Sequence, residues 1–332
     1  MKNNNTTISR NLFFLERVKK LYMNGKHEFM LIGVLIVLVT GFSIINPRAL
    51  SVDNMLNILR QMSFIGIMGI GMTFVLISGG IDLSVAAVCG LSGVLTALFL
   101  KNGISIFLAI PLVLLVGLSF GLINGLIITK MGVNDFMTTL GTMSVAHGLI
   151  FGVTGGYSVY EGITKGFKKI GQGMLGPVPY PTIYLIIFFI IGYILLSKSK
   201  LGRQVYAIGG NKKAAFLSGV NIDRIKITVY LISGFLSALT GIILTSRMGS
   251  GQANASNTFL FPTVTSVILG GTALAGGEGS MIGTFLGVLV IGILNNGLIM
   301  ARMTFYWQEI AMGIVLILAI SYTSYMKRKS GI

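Results

Sequence analysis

Apolar residues in this chain come in long runs rather than in the spaced pattern of an amphipathic surface helix. A helix needs roughly 17–25 apolar residues to cross a bilayer, and such stretches recur along the whole sequence. They predict helices at about 29–46, 57–78, 85–101, 104–129, 136–154, 182–197, 225–246, 262–277, 281–301 and 305–325. Two of these, 136–154 and 262–277, are short or glycine-rich, the mark of a broken helix. The expected fold is all-α and polytopic, with about ten transmembrane helices.

One polar interruption stands out. In "LISGGIDLSVAAVCGLSG" (76–93) a lone acid, Asp82, sits between two uncharged runs. Gly79 and Gly80 suit a tight turn, and Asp82 or Ser84 can cap the free N–H groups of the next helix. A bare backbone end facing lipid would cost several kcal/mol, so such a break should face protein or a water-filled path. Asp82 therefore has two compatible readings, a helix cap and part of a gate. A proton relay is disfavoured, because Asp53, Asp135 and Glu278 lie near span ends and form no chain across the bilayer.

Composition removes the soluble alternatives. Of 332 residues, 53% are hydrophobic and 10% charged, with mean hydropathy +0.86; soluble domains carry about 25% charged residues. The single Cys89 excludes an intrachain disulfide, and no cleavable signal is expected ahead of the first span. A net charge of +16 could indicate nucleic acid, but at this hydropathy it reports topology and anionic lipid. Most basic residues fall on one side: Lys2, Arg10, Arg17, Lys19, Lys20 and Lys26 before the first span, Lys198 to Lys226 after the sixth, and Lys327 to Lys329 at the end. That side is the cytoplasm. The organisation expected is a cytoplasmic tail (1–28), a membrane domain (29–325) with a cytoplasmic loop (198–226), and a cytoplasmic tail (326–332). The longest external loop, 155–181, holds Tyr157, Tyr160, Glu161 and Lys165.

The halves repeat. "GLINGLI" (121–127) returns as "GILNNGLI" (292–299), aligning Asn124 with Asn296. "GGIDLSV" (79–85) has a weaker echo in "GGTALAGG" (270–277), which sets Ala273 against Asp82. The topology makes the halves antiparallel, and inverted repeats with interrupted helices are a transporter architecture. Path candidates are Asn124, Asn296, Thr138, Thr139 and Thr142, with Gly79, Gly80, Asp82 and Ser84 in the first turn and Gly270 and Gly271 in the second. Thr in a membrane helix also commonly bonds its own backbone.

The cytoplasmic loop contains "NKKAAFLSG", a short helix with Asn211 as cap and Gly219 as stop. Its small residues Ala214, Ala215 and Ser218 would let another surface approach, as in docking to a soluble partner.

This loop, "GMTFVLISGGIDLSV", "VILGGTALAGGEGSMIGTFLGVLVIGILNNGLI" and "YWQEIAMG" (306–313) closely resemble bacterial ABC-importer permeases of the ribose and simple-sugar family, in register from about residue 30 to 325. The resemblance implies a homodimeric pore, docked ATPase subunits that hold ATP and Mg, and an external binding protein that selects and delivers a pentose or hexose. It implies a chain in the bacterial cytoplasmic (inner) membrane with no cofactor and no enzymatic activity of its own. The family's coupling motif maps onto Gly209, Gly210, Asn211, Ala214, Ala215, Ser218 and Gly219. One departure leaves the sugar open: where the family typically carries two acids, the stretch 260–271 has none and gains Pro262. A sugar-related signal molecule or another small polar solute is the alternative cargo.

Other classes fit less well. An ion-coupled transporter shares the repeat but has no need of a docking helix. An aspartyl protease needs two facing acids. A metalloenzyme needs more than His27 and His147, which sit in no ligand cluster. No GxxxxGK[ST] is present, so any nucleotide site lies on another chain.

Overall fold

A computed structural model describes residues 26–330, with side chains described for 27–321. Residues 1–25, most of the expected N-terminal tail, and 331–332 lie outside the described residues, as do the side chains of Lys327, Arg328 and Lys329. The helices are α1 (Lys26–Ile45), α2 (Val52–Ile77), α3 (Val85–Lys101), α4 (Ile106–Lys130), α5 (Asp135–Thr154), α6 (Lys165–Gln172), α7 (Tyr180–Ser197), α8 (Lys200–Gly210), α9 (Lys212–Leu217), α10 (Ile222–Met248), α11 (Leu260–Leu269), α12 (Met281–Met300) and α13 (Phe305–Ser330). A two-residue hairpin at 174–179 is the only sheet among the described residues.

All ten expected segments are helices. Seven are long and apolar enough to span a membrane, while α3, α11 and the described part of α13 are shorter apolar helices. Of the two segments expected to break, only one does. The 136–154 segment is a continuous helix, capped by the Asn134 side chain and closed by Gly155 in the left-handed region. The 262–277 segment stops at Leu269.

α2 and α10 form the buried centre, whereas α1 and the faces of α4, α5 and α7 turn Ile, Leu, Val and Phe outward. Without a hydrophobic drive between helices in lipid, close approach needs small residues. On α4, Gly117 and Gly121 meet Gly234 and the Tyr230 carbonyl of α10, and a Cβ at either glycine would clash with that backbone.

The repeat extends over four helices. Asn124 and Asn296 are 172 positions apart (296 − 124). The same shift carries α2–α5 onto α10, the short turn at 257–259 with α11, α12, and α13, within a few residues at each boundary. Packing obeys the same exchange: α4 lies on α10 as α12 lies on α2, and α3 on α5 as α11 on α13. α2 and α10 run antiparallel, with Phe64 beside Arg247 and Gly71 beside Ser233. The glycine echo does not belong to this repeat. The shift places Gly79, Asp82 and Ser84 on Gly251, Asn254 and Ser256, so Ala273 is not the counterpart of Asp82. Both glycine pairs follow helix ends, where glycine is common for conformational reasons, and that local chemistry produced the echo.

Candidate functional site

The segment between α7 and α10 is two short helices joined at one residue. Asn211 ends α8 and starts α9: its backbone N–H donates to the Ala207 carbonyl, and its Oδ1 accepts from the Ala214 N–H at 2.9 Å. Gly219, at φ 79°, follows the last turn of α9. The cap and stop expected from sequence are present. The exposed side of α9 is not the side expected. Ala215 is 4% exposed and packs into the chain's own core, so it is not a partner-facing residue. A six-residue helix buries one narrow side, and Ala215 occupies it. Ala214 and Ser218 remain exposed, and they flank two large apolar groups that sequence reasoning missed, Phe216 at 66% and Leu217 at 77% exposure.

Beneath this segment three glycine stretches meet backbone to backbone. Gly209 abuts the Ile77 carbonyl and the Gly277 N–H, and that N–H donates to the Ile77 carbonyl at 2.8 Å. Gly276 lies on Gly79, and Gly277 on Gly210. Side chains at these positions would force the three strands of chain apart. The structure thus brings Gly79, Gly209 and Gly210 together, but with Gly276 and Gly277 rather than Gly270 and Gly271. Gly270 instead packs on Gly283 of α12, and Gly271 lies against the His27 ring, whose Nε2 is 2.8 Å from the Leu269 carbonyl oxygen. Gly79 and Gly209 border a cavity of about 450 Å³, also lined by Asp135, Lys212 and Lys226.

The Asp82 turn is the hub of a buried network. Oδ1 accepts from the Ser84 N–H at 3.0 Å and the Ser84 hydroxyl at 2.6 Å; Oδ2 accepts from the Ser233 hydroxyl of α10 at 2.7 Å. Ser84 itself makes no side-chain cap bond to α3. Asn124 of α4 donates to the Ser84 Oγ at 3.1 Å and accepts from Thr142 of α5 at 2.7 Å. Thr139 lies 3.3 Å from the Ile81 carbonyl. One turn thereby ties α3, α4, α5 and α10 together.

A second cluster adjoins it. Lys226, 6% exposed, pairs with Asp135 at 2.8 Å, and the Tyr230 hydroxyl lies 2.8 Å from the same carboxylate oxygen and 3.1 Å from the Ile81 carbonyl. All three polar atoms crowd the place where a Cβ of Gly80 would lie. Gly80 therefore serves as the space for an ion pair.

The remaining path candidates are inward-facing in the single chain. Asn296 exchanges two hydrogen bonds with Asn54 at 2.9 and 3.0 Å, and Thr138 is buried with no partner for its hydroxyl among the described residues. The wall of α5 that meets open space is instead made by Gly141, Gly148 and Gly152 with the exposed Ser144.

A family profile described as "Branched-chain amino acid transport system / permease component" matches residues 54–320. Among curated proteins, the ribose import permease of Haemophilus influenzae is 41% identical, over 89% of this chain and 92% of its own length. The D-allose transport system permease of Escherichia coli is 34% identical, over 87% and 89%. The autoinducer 2 import system permease of Photorhabdus laumondii is 34% identical, over 88% and 90%. No solved structure matches the chain.

Proposed function

The chain belongs to the permease-component family of ABC importers, whose members are membrane subunits and not enzymes, and from that premise we propose that it passes a monosaccharide across the bacterial cytoplasmic membrane. The observation that carries this reading is the 41% identity to a ribose import permease along nearly its whole length. Energy comes from ATP and Mg on a separate subunit.

The geometry supports a division of surfaces. Phe216 and Leu217, exposed on the capped α9 beside Lys212 and Lys213, suit a groove on the ATPase, since a soluble surface leaves such apolar pairs bare only for a partner. The glycine junction would pass motion of α9 to the Ser78–Gly80 turn. On α5 the open stripe of Gly141, Ser144, Gly148 and Gly152 suits close approach of a second copy, with the path between them. The external binding protein meets the opposite end. Both termini are cytoplasmic.

The test is reconstitution of the permease with its ATPase and binding protein in proteoliposomes. Uptake of a pentose or hexose that requires ATP is expected; uptake driven by an ion gradient without ATP contradicts it. The identity to an autoinducer 2 permease favours a sugar-related signal molecule as the second cargo to assay. Orientation is read separately. In a Cys89→Ser background, Lys165→Cys should react with an impermeant thiol reagent in intact cells and Gly210→Cys should not.

A further inference from the structure

α10 is 27 residues long, about 40 Å at 1.5 Å per residue. At the end remote from α9 it borders a cavity of about 430 Å³, within the usual range of about 300–1,000 Å³ for small-molecule pockets. No feature described so far uses it.

Its polar lining is the exposed Thr258 together with Gln61 of α2, Arg247 of α10, Asn295 of α12, and Gln308 and Glu309 of α13. The five on the long helices are half-buried. Among the described residues, the side chains of Gln61, Asn295 and Glu309 make no hydrogen bond or ion pair, although the adjacent Asn296 is doubly bonded to Asn54. Gln308 uses its Nε2 on the Met303 carbonyl at 2.9 Å and keeps its oxygen free. Arg247 stacks over the Phe64 ring at 5.4 Å, which fixes the guanidinium without consuming its N–H groups. Phe259 and Phe305 add apolar faces.

A half-buried polar group that bonds to nothing in the chain keeps its hydrogen-bonding capacity for water or a ligand. Here amide, guanidinium and carboxylate groups offer donors and acceptors side by side, next to aromatic rings. Sugar hydroxyls each donate and accept, and sugar C–H faces are apolar, so the two surfaces are complementary. On the lining itself Arg247 and Glu309 carry opposite charges, with the Arg60 cation acting on Arg247 from outside the lining, and the amide and aromatic groups between them suit a neutral solute. "YWQEIAMG" (306–313) supplies Gln308 and Glu309, so a motif that was part of the family match gains a local role.

We propose that this cavity binds a neutral monosaccharide, giving the permease a receiving site of its own at the end opposite α9. The proposal rests on the sugar-import reading.

The chain's single tryptophan, Trp307, precedes Gln308 and reports on the site. The full-length permease in nanodiscs is titrated with D-ribose, D-allose and other pentoses and hexoses while Trp307 fluorescence is read. In parallel, the complete transporter is assayed for uptake of the same sugars. The expected result is a saturable response to the imported sugar, weakened tenfold or more by Asn295→Ala and by Glu309→Gln, with both variants unfolding at native temperature. Import without a saturable response, or an equal response in both variants, overturns the cavity assignment and leaves the importer reading standing. Import of no sugar in the panel overturns both.

Discussion

At the α9 end of α10, Lys226, Tyr230 and Ser233 point into a network bonded within the chain: Asp135, Asp82 and the Ile81 carbonyl take up their polar atoms at 2.7–3.1 Å, although Asp135 and Lys226 also border a cavity. At the other end of the same helix, Arg247 faces a cavity where Gln61, Asn295 and Glu309 have no bonded partner among the described residues. The difference separates two uses of polarity in a membrane protein. Groups satisfied by their own chain lock helices together and can transmit force. Groups left unsatisfied at the rim of a cavity cost little when lost and are available to a solute. Substitutions at the first end should act through stability, and at the second through solute handling.

The largest effect is expected from Lys226→Met, which leaves the half-buried Asp135 carboxylate without its cation and held by the Tyr230 hydroxyl alone. Breaking one side of a buried pair costs about 3–5 kcal/mol, to be read as lowered thermal unfolding in detergent. Adding Asp135→Asn should restore much of it, because the desolvated charge is gone. A Lys226→Met variant as stable as the native chain would break the contrast between the ends.

Next comes Asp82. Asp82→Ala strands the Ser84 N–H and the Ser84 and Ser233 hydroxyls, a loss of about 3 kcal/mol at the upper end of the cost of unsatisfied groups. Asp82→Asn keeps a carbonyl acceptor and should lose markedly less stability. If its uptake per molecule also stays native, the acid is a structural hub without a gating role; impaired uptake at native abundance would give its charge a part in the gate.

Ala215→Trp sharpens the comparison on α9. Overpacking a buried site costs about 1–3 kcal/mol, so this variant should lower permease stability itself. Leu217→Asp should leave the isolated permease as stable as before and lose ATPase subunits in pull-down. The reverse pattern would restore Ala215 as the docking residue.

The smallest stability change belongs to Glu309→Gln, within about 0.5 kcal/mol as for an exposed site without partners. A larger loss would mean that Glu309 has a structural bond and that the cavity end is not open.

Much of the scaffold could be read in advance. Uninterrupted apolar runs marked all ten segments, and Asn211 and Gly219 marked the limits of α9, because caps and stops are local chemistry. The asparagine pair carried the true 172-residue shift. What escaped was long-range. Asp135 and Lys226 are 91 positions apart; one reads as a span-end acid and the other as one more loop lysine. Gly80 resembled a turn glycine and proved to be room for their ion pair. A six-residue helix is too short for its pattern to show which side is buried, so Ala215, expected on the outer side, lies inside while Phe216 is exposed. The cavity residues come from four distant helices, and no spacing rule joins Gln61 to Asn295 or Glu309.

The most direct test of this division is the number of sugar molecules imported per ATP hydrolysed in proteoliposomes, measured for the native transporter, Leu217→Asp and Asn295→Ala. Leu217→Asp should lower uptake and binding-protein-stimulated hydrolysis together and keep the ratio near native, because it weakens docking. Asn295→Ala should lower the ratio several-fold, because hydrolysis then outpaces solute capture. A native ratio in Asn295→Ala, or a collapsed ratio in Leu217→Asp, would contradict the account.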